Sequence, residues 1–203
     1  MTFSKRLFDI LAALFLSALL ALPFALLLLV LLVVEGRPIF YVAERMKTPG
    51  RGFKLWKLRT MTTAAGERGV SGGDKAARVT RVGRLLRRYR LDEIPQLWNV
   101  LKGDMSFVGP RPPLREYVER FPDIYAEVLQ NRPGITGTAS LIFHGHEERL
   151  LAACRSPAET DAVYCRRCIP RKARLDLIYA RNQNLCFDIA LMGRTAGRML
   201  RRR

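Results

Sequence analysis

The sequence predicts a mainly helical α+β protein: an apolar N-terminal membrane helix joined to a basic globular domain that carries one small β-hairpin and several amphipathic helices. Three observations predict it. From Ile10 to Val34 there are 25 residues without a charge, all apolar except Ser17 and Pro23. From Glu35 onward the chain holds 33 basic against 17 acidic residues. Within that basic part, apolar residues recur at helical spacing in several stretches and alternate, strand-like, around one Pro/Gly-rich turn. Whole-chain figures bound the answer further. With 203 residues, 49% hydrophobic and 26% charged, the chain is one folded domain with at most one appendage, not a disordered segment. A mean hydropathy of -0.01 excludes a polytopic membrane protein.

Residues 1–36 form the membrane segment and residues 37–203 the domain. A straight helix over Ile10–Val34 would be about 37 Å long, enough to cross a hydrocarbon core of about 30 Å. The run is too long for the core of a signal peptide, and no small-x-small cleavage site precedes Glu35. Pro23 lies near its middle, removes a backbone donor and crowds the preceding turn, so the helix is expected to break there. Each half would then span only about 18–20 Å, which fits a re-entrant hairpin dipping into one leaflet. A spanning helix that tolerates its proline is the other reading. Both flanks are basic, Lys5 and Arg6 before the run and Arg37, Arg45, Lys47, Arg51, Lys54, Lys57 and Arg59 after it, so either reading puts the domain on the cytoplasmic face.

The domain begins with the β-branched and aromatic run Pro38–Val42, a turn at Pro49, Gly50 and Gly52, and the partly alternating Phe53–Arg59, which together read as a hairpin. Residues 62–75 are glycine-rich and read as a loop. Val79, Val82, Leu85, Leu86 and Tyr89 form one face of a helix whose other face is arginine. Ile94, Leu97, Trp98 and Leu101 make a second helical stripe, opened by Asp92-Glu93-Ile94-Pro95, and proline suits only a first turn. Gly109–Pro113 and Arg132–Gly137 read as tight turns. Helices are expected over Glu116–Gln130, Glu147–Cys154, Ala158–Cys168 and Leu185–Arg203.

Two carboxylates at a helix N-terminus stand where unsatisfied amides and the helix dipole favour negative charge, and where phosphates also bind. Asp92-Glu93 is therefore a place for an anionic nucleophile, a metal, or both; the plain alternative is helix capping. Arg87 and Arg88 lie about a turn upstream, Arg111 is fixed between Pro110 and Pro112, and Lys57 and Arg59 sit on the second strand. A diphosphate substrate needs cations placed in this way, preferably guanidinium forks on rigid backbone.

The continuous string from Arg78 to Pro112, with Arg87, Asp92-Glu93-Ile94-Pro95-Gln96, Asn99, Asp104 and Pro110-Arg111-Pro112 in fixed order, resembles the bacterial sugar transferase family, the monotopic phosphoglycosyl transferases. Pro38-Ile39-Phe40-Tyr41, Arg45 and Phe53–Met61 upstream, and Arg132-Pro133-Gly134-Ile135-Thr136-Gly137 downstream, are similar to the same family. The resemblance runs from about Lys5 to Gly137 and is to the small, catalytic-core form. Two departures stand out. The family usually has Ser-Pro at the helix break where this chain has Leu22-Pro23, and a Trp-Ala-Gln-Val segment where this chain has Thr138-Ala139-Ser140-Leu141 followed by a His- and Cys-bearing insertion.

The resemblance implies a re-entrant helix broken at Pro23 and interfacial amphipathic helices lying on the membrane. It implies transfer of a sugar 1-phosphate from a UDP-sugar to undecaprenyl phosphate at the inner membrane, with release of UMP, to begin O-antigen, capsule, exopolysaccharide or glycoprotein glycan assembly. Asp92 is then the nucleophile and carries the phosphosugar. Mg2+ is the expected cofactor, at Asp92 and Glu93, and Glu93 contacts the metal or handles a proton. Arg111, Arg87, Lys57 and Arg59 hold the phosphates. Inner-membrane lipids are expected partners, and the membrane-proximal helices could pair two copies as a homodimer. The sugar is not legible.

Two other readings compete. The charge and the arginines of residues 78–90 fit a tethered nucleic-acid binder, but only Tyr89 interrupts that basic run, so no stacking platform is evident and no nucleic acid is expected. Cys165-Arg166-Arg167-Cys168 with His144 and His146 is a weak zinc pattern, because no second Cys-x-x-Cys matches it.

Overall fold

In the computed structural model, residues 1–62, 70 and 73–201 are described. The 62–75 loop falls mostly outside that set, as do Arg202 and Arg203 at the end of the expected last helix.

Helix α1 (Phe3–Val34) starts at Thr2, whose hydroxyl accepts the Lys5 N–H at 3.3 Å, and runs to Glu35. Pro23 lies inside it, and the helical backbone passes through that position as one element rather than two. The break expected from the proline is therefore not seen as an interruption. One stripe of α1 is covered along its whole length. Lys5, Asp9, Ala13 and Leu31 are buried, with Leu16, Leu20, Phe24, Leu27 and Leu28 packed between them on the domain. The spacing of three and four residues is that of a single helix face. The opposite face leaves Leu11, Phe15, Leu19, Leu22, Leu26, Leu29 and Val33 exposed.

The hairpin is as expected: β1 (Phe40–Thr48) pairs antiparallel with β2 (Arg51–Leu58), Phe40 opposite Leu58 and Arg45 opposite Phe53, with an irregularity between Met46 and Thr48. Helix α2 (Arg81–Arg88) is capped by Thr80, whose hydroxyl accepts the Gly83 N–H at 2.8 Å, and presses Leu86 against Leu58 and Leu31. Helix α3 (Gln96–Lys102) follows Pro95 and is pinned to β2 by Asn99. The fully buried Asn99 amide accepts the Trp56 N–H at 3.2 Å and donates to the Lys54 carbonyl at 2.8 Å, satisfying backbone groups on the hairpin edge.

Strand β3 (Ser106–Val108) precedes α4 (Arg115–Arg120) and α5 (Pro122–Val128), into which the single helix expected over 116–130 is divided at Phe121 and Pro122. Pro122 cannot donate to the preceding turn, so it starts a helix instead of continuing one. Strand β4 (Gly134–Thr136) pairs parallel with β3; it lies inside the run 132–137 read as a turn, and the other run read as a turn, 109–113, directly follows β3. Then come α6 (Thr138–Ile142), α7 (His144–Ala152), α8 (Pro157–Val163), a π-helical turn (Tyr164–Cys168), α9 (Ile169–Arg181) and α10 (Leu185–Arg201).

Two larger cores divide the domain. Tyr117, Val118, Tyr125, Val128, Tyr164 and Ile169 join α4, α5 and α9; Phe53, Leu55, Val100, Met105, Phe107 and Leu191 join the hairpin, α3, β3 and α10 to α1. The N-terminal end of α1 is also tied by polar groups. Lys5 Nζ donates to Asp188 at 2.5 Å, to the Tyr179 hydroxyl at 3.2 Å and to the Val108 carbonyl at 3.1 Å, and Arg6 donates to the carbonyls of Val100 and Leu101.

Candidate active site

Helix α2 stops because Arg90 takes a left-handed conformation, φ 54°, which reverses the chain into the short 3₁₀ turn Leu91–Glu93. A non-glycine residue there carries backbone strain, and at functional sites such strain is compensated by the surroundings. Here the compensation is visible: Arg90 donates to Glu93 Oε2 from Nη2 at 2.6 Å and from Nε at 3.0 Å. The acids sit in the turn before α3 rather than in its first turn, and both are 7% exposed.

The two carboxylates have opposite surroundings. Glu93 is gripped by three cations: besides Arg90, Lys57 Nζ donates to Oε1 at 3.1 Å and the Arg111 guanidinium approaches the same oxygen at 3.3 Å. Burial opposes its ionisation, but Lys57, Arg111 and Arg90 outweigh burial and hold its pKa far below the usual carboxylate range. Asp92 accepts no hydrogen bond from the described residues, and burial raises its pKa against the pull of Lys57, Arg111 and Arg87. The site thus holds one carboxylate that is fully engaged and, beside it, one whose oxygens are uncommitted.

Of the cations expected at the site, Lys57 and Arg111 are brought onto the dyad. Arg111 is held by its place between Pro110 and Pro112, next to the β3–β4 pair, and two-fifths of its side chain (41%) still faces the cavity. Arg87 lines the same cavity and donates from Nε to the Thr60 hydroxyl at 2.9 Å. Arg59 behaves differently. It borders the cavity, but its guanidinium donates to the carbonyls of Glu35 at 2.7 Å and Gly36 at 3.2 Å, so its hydrogen bonds secure the exit of α1. Two cations were not singled out for the site from sequence: Arg90, and Arg45, whose pKa is lowered by burial and by the neighbouring Arg111.

The cavity around the dyad encloses about 1200 Å³ and extends to a wall built from the C-terminal third of the chain. That wall carries Glu147 on α7, Tyr164 on the π-turn, and Lys172 and Asp176 one turn apart on α9. Lys172 Nζ lies 2.8 Å from Glu147 and 3.2 Å from the Tyr164 hydroxyl. None of these residues was marked by sequence reading.

Among the described residues no three His, Cys, Asp or Glu side chains cluster as a metal cage. Magnesium needs none: it binds through one or two carboxylates and completes its shell with water and substrate phosphate, and the uncommitted Asp92 beside Glu93 fits that mode. The same finding leaves the Cys165/Cys168 zinc reading without a ligand set, and all four cysteines are free thiols.

An uncommitted carboxylate in an arginine-lined cavity, flanked by a long apolar helix, defines a site for chemistry on anionic substrates. Known proteins narrow this class. The bacterial sugar transferase family model matches residues 1–202, and the chain belongs to that family. The chain is 34% identical over 200 residues to the UDP-N-acetylgalactosamine-undecaprenyl-phosphate N-acetylgalactosaminephosphotransferase of Aeromonas hydrophila, covering 95% of this chain and 43% of that one. It is 43% identical over 143 residues to the UDP-glucose:undecaprenyl-phosphate glucose-1-phosphate transferase of Caulobacter vibrioides, covering 68% and 53%. It is 41% identical over 137 residues to the uncharacterized sugar transferase EpsL of Bacillus subtilis, covering 68% and 67%. The chain thus spans about half or less of the two relatives whose names state a reaction.

Proposed function

We propose that this protein transfers a sugar 1-phosphate from a UDP-sugar to undecaprenyl phosphate through a covalent intermediate on Asp92. A carboxylate oxygen of Asp92 attacks the sugar-proximal phosphorus; the bond from that phosphorus to the bridging oxygen breaks, and UMP leaves with the electron pair. The lipid phosphate then attacks the same phosphorus and returns Asp92 as a carboxylate. Splitting the transfer lets two anionic substrates use one cationic cavity in turn. The observation that carries this reading is the split dyad: Glu93 is spent on Lys57, Arg90 and Arg111, while Asp92 has no such partner among the described residues. Arg111, Lys57 and Arg87 orient the phosphates, and Glu93 keeps Lys57, Arg90 and Arg111 in place and charged. Mg2+ would be held by Asp92, with water and substrate phosphate completing its shell because both Glu93 oxygens are taken by cations, and would neutralise diphosphate charge.

The membrane disposition belongs to the same reading. The unbroken α1, with both ends packed on the domain and its outer face apolar, supports a helix lying in one leaflet and a monotopic protein on the cytoplasmic face of the inner membrane. The arginine faces of α2 and α10 then lie among headgroups, level with the lipid phosphate. The test is UMP release by detergent- or nanodisc-held protein with Mg2+, undecaprenyl phosphate and a panel of UDP-sugars. Release that requires the lipid for turnover and disappears in Asp92→Asn is expected. Unchanged release in that variant would remove Asp92 from the mechanism.

A further inference from the structure

The diphosphate of a donor does not need the whole of the cavity. Cations gather at the end formed by Lys57, Arg87, Arg90 and Arg111. The other end is built differently. Lys172 and Glu147 form an ion pair of 2.8 Å with side chains only 15% and 16% exposed, so their charges cancel where they stand. Asp176, 7% exposed on the same face of α9 as Lys172, lies near the Ala139 amide of α6. Burial, against the pull of Lys172, pushes its carboxyl up to about 7, so it spends much of its time neutral at neutral pH. Ser140 and Thr195 line the same cavity, and so does Arg198, whose guanidinium donates to the Leu141 carbonyl at its edge.

A buried ion pair adds little stability over well-packed apolar residues of the same size, so packing alone does not account for three ionisable groups on a cavity wall. Such a wall offers donors and acceptors with almost no net charge. It suits a neutral, hydroxyl-rich group and not a phosphate. Its position fits as well. Glu147 is close enough to Arg111 to raise that guanidinium's pKa together with Glu93, which puts the wall beside the phosphate anchor. The group bonded directly to the attacked phosphorus is the sugar. A base would need a flat face for stacking, but Tyr164 is buried and its ring already faces the Lys172 ammonium at 5.0 Å.

We propose that Glu147, Lys172 and Asp176 form the subsite that holds the glycosyl group of the donor and selects among hexoses and N-acetylhexosamines. The inference rests on the donor reading above and adds the specificity-determining residues to it. Sites that hydrogen-bond a hydroxyl reject analogues lacking it because the site's own buried groups are then left unpaired.

The experiment compares binding of UDP with that of UDP-glucose, UDP-galactose and their two N-acetylhexosamine counterparts, by calorimetry on full-length protein in detergent, in an Asp92→Asn background that prevents transfer. The expected result is that one UDP-sugar binds roughly tenfold tighter than UDP, and that Glu147→Gln and Lys172→Met each shrink this gap to about twofold or less without weakening UDP. Asp176→Asn, nearly isosteric, serves if either variant fails to fold. Three results would overturn the subsite: UDP weakening in step with UDP-sugar, which would make the wall a nucleotide site; a gap that persists in the folded variants; or no gap in the parent. Lipid-dependent UMP release by the wild type is read in parallel. Release with any of those three results sinks the subsite alone, whereas no release and no UDP binding sinks the donor reading with it.

Discussion

At the scale of single residues, Glu93 and Asp176 show what burial does to a carboxylate gripped by three cations and to one with a single, already paired lysine nearby. Glu93 is the shared counter-charge of Lys57, Arg90 and Arg111. Glu93→Gln leaves those cations without their shared counter-charge. Removing one partner of a buried pair costs about 3 kcal/mol or more, so the melting temperature falls. The freed cations should also bind inorganic phosphate more tightly than the wild type, read as a larger thermal stabilisation by phosphate; equal stabilisation would mean that Glu93 is not what neutralises them. Asp176 has the opposite sign. Its pKa is about 7 when folded against an ordinary 3.8, raised by burial, with Lys172 and the Ala139 N–H opposing and Glu147 assisting. Its contribution is thus fully present below about pH 4 and is lost as pH rises through 7. At about 1.4 kcal/mol per pKa step the loss is on the order of 4 kcal/mol. Asp176→Asn should therefore be more stable than the wild type at pH 8 and should show a flatter melting-temperature profile between pH 4 and 8. A wild-type profile that rises with pH across this window, and falls no more than the variant's, would contradict the assignment.

At the scale of elements, the parallel pair β3–β4 sets Arg111 beside the dyad. The Gly109 N–H donates to Thr136 and the Gly134 N–H to the Pro110 carbonyl, each at 2.9 Å, and the backbones approach so closely that a Cβ at Gly134 would collide with Gly109 and Thr136 main-chain atoms. Gly134→Ala is expected to cost about 3 kcal/mol, since backbone cannot yield as a side-chain end can. Gly50→Ala in the hairpin turn is the control: a Cβ there meets nothing within 4 Å, and its effect should stay within about 0.5 kcal/mol. A folded, fully stable Gly134→Ala protein would show that the pair is not as close as described. This pair also shows where sequence reading stops. Strands of three residues are too short for alternation to register, and their glycines and prolines read as turns. The hairpin and α2 were legible because each repeats its pattern over two turns or more. Helix α9 was missed for a different reason. Ile169-Pro170 reads as a stop after 158–168, yet Pro170 lies in the first turn, where its missing N–H is not needed, and so marks a start. With α9 went Lys172 and Asp176, so Asp92, Glu93, Lys57 and Arg111 were read together from sequence while Arg90 and the far wall of the cavity were not. Arg59 is the converse case. It was expected on the second strand but lies one residue past the end of β2, where its guanidinium reaches the exit of α1 instead.

At the scale of the whole molecule, the question is how a helix of 32 residues relates to the domain it precedes. The apolar run alone has no polar face, so sequence could not say which stripe is covered. The structure assigns one: Asp9, Ala13, Leu16, Leu20, Phe24, Leu28 and Leu31 turn toward the domain, and the leucines opposite turn away. Both ends are secured to the domain by hydrogen bonds. Lys5 is locked to Asp188, Tyr179 and Val108, Asp9 accepts the Phe107 N–H at 3.2 Å, and Arg59 grips the carbonyls of Glu35 and Gly36 at the other end. A helix crossing the bilayer would have to release one of these ends and leave its buried charges unpaired, at several kcal/mol for each ion. Both ends should therefore lie on one side of the membrane. The check is a protein with Cys154, Cys165, Cys168 and Cys186 replaced and a single cysteine introduced by Thr2→Cys or Gly36→Cys, labelled with an impermeant maleimide in sealed vesicles of known orientation. Both positions are expected to label only from the cytoplasmic side; labelling of the Thr2 position from the opposite side alone would establish a spanning helix and would require the Lys5–Asp188 contact to be absent in the membrane.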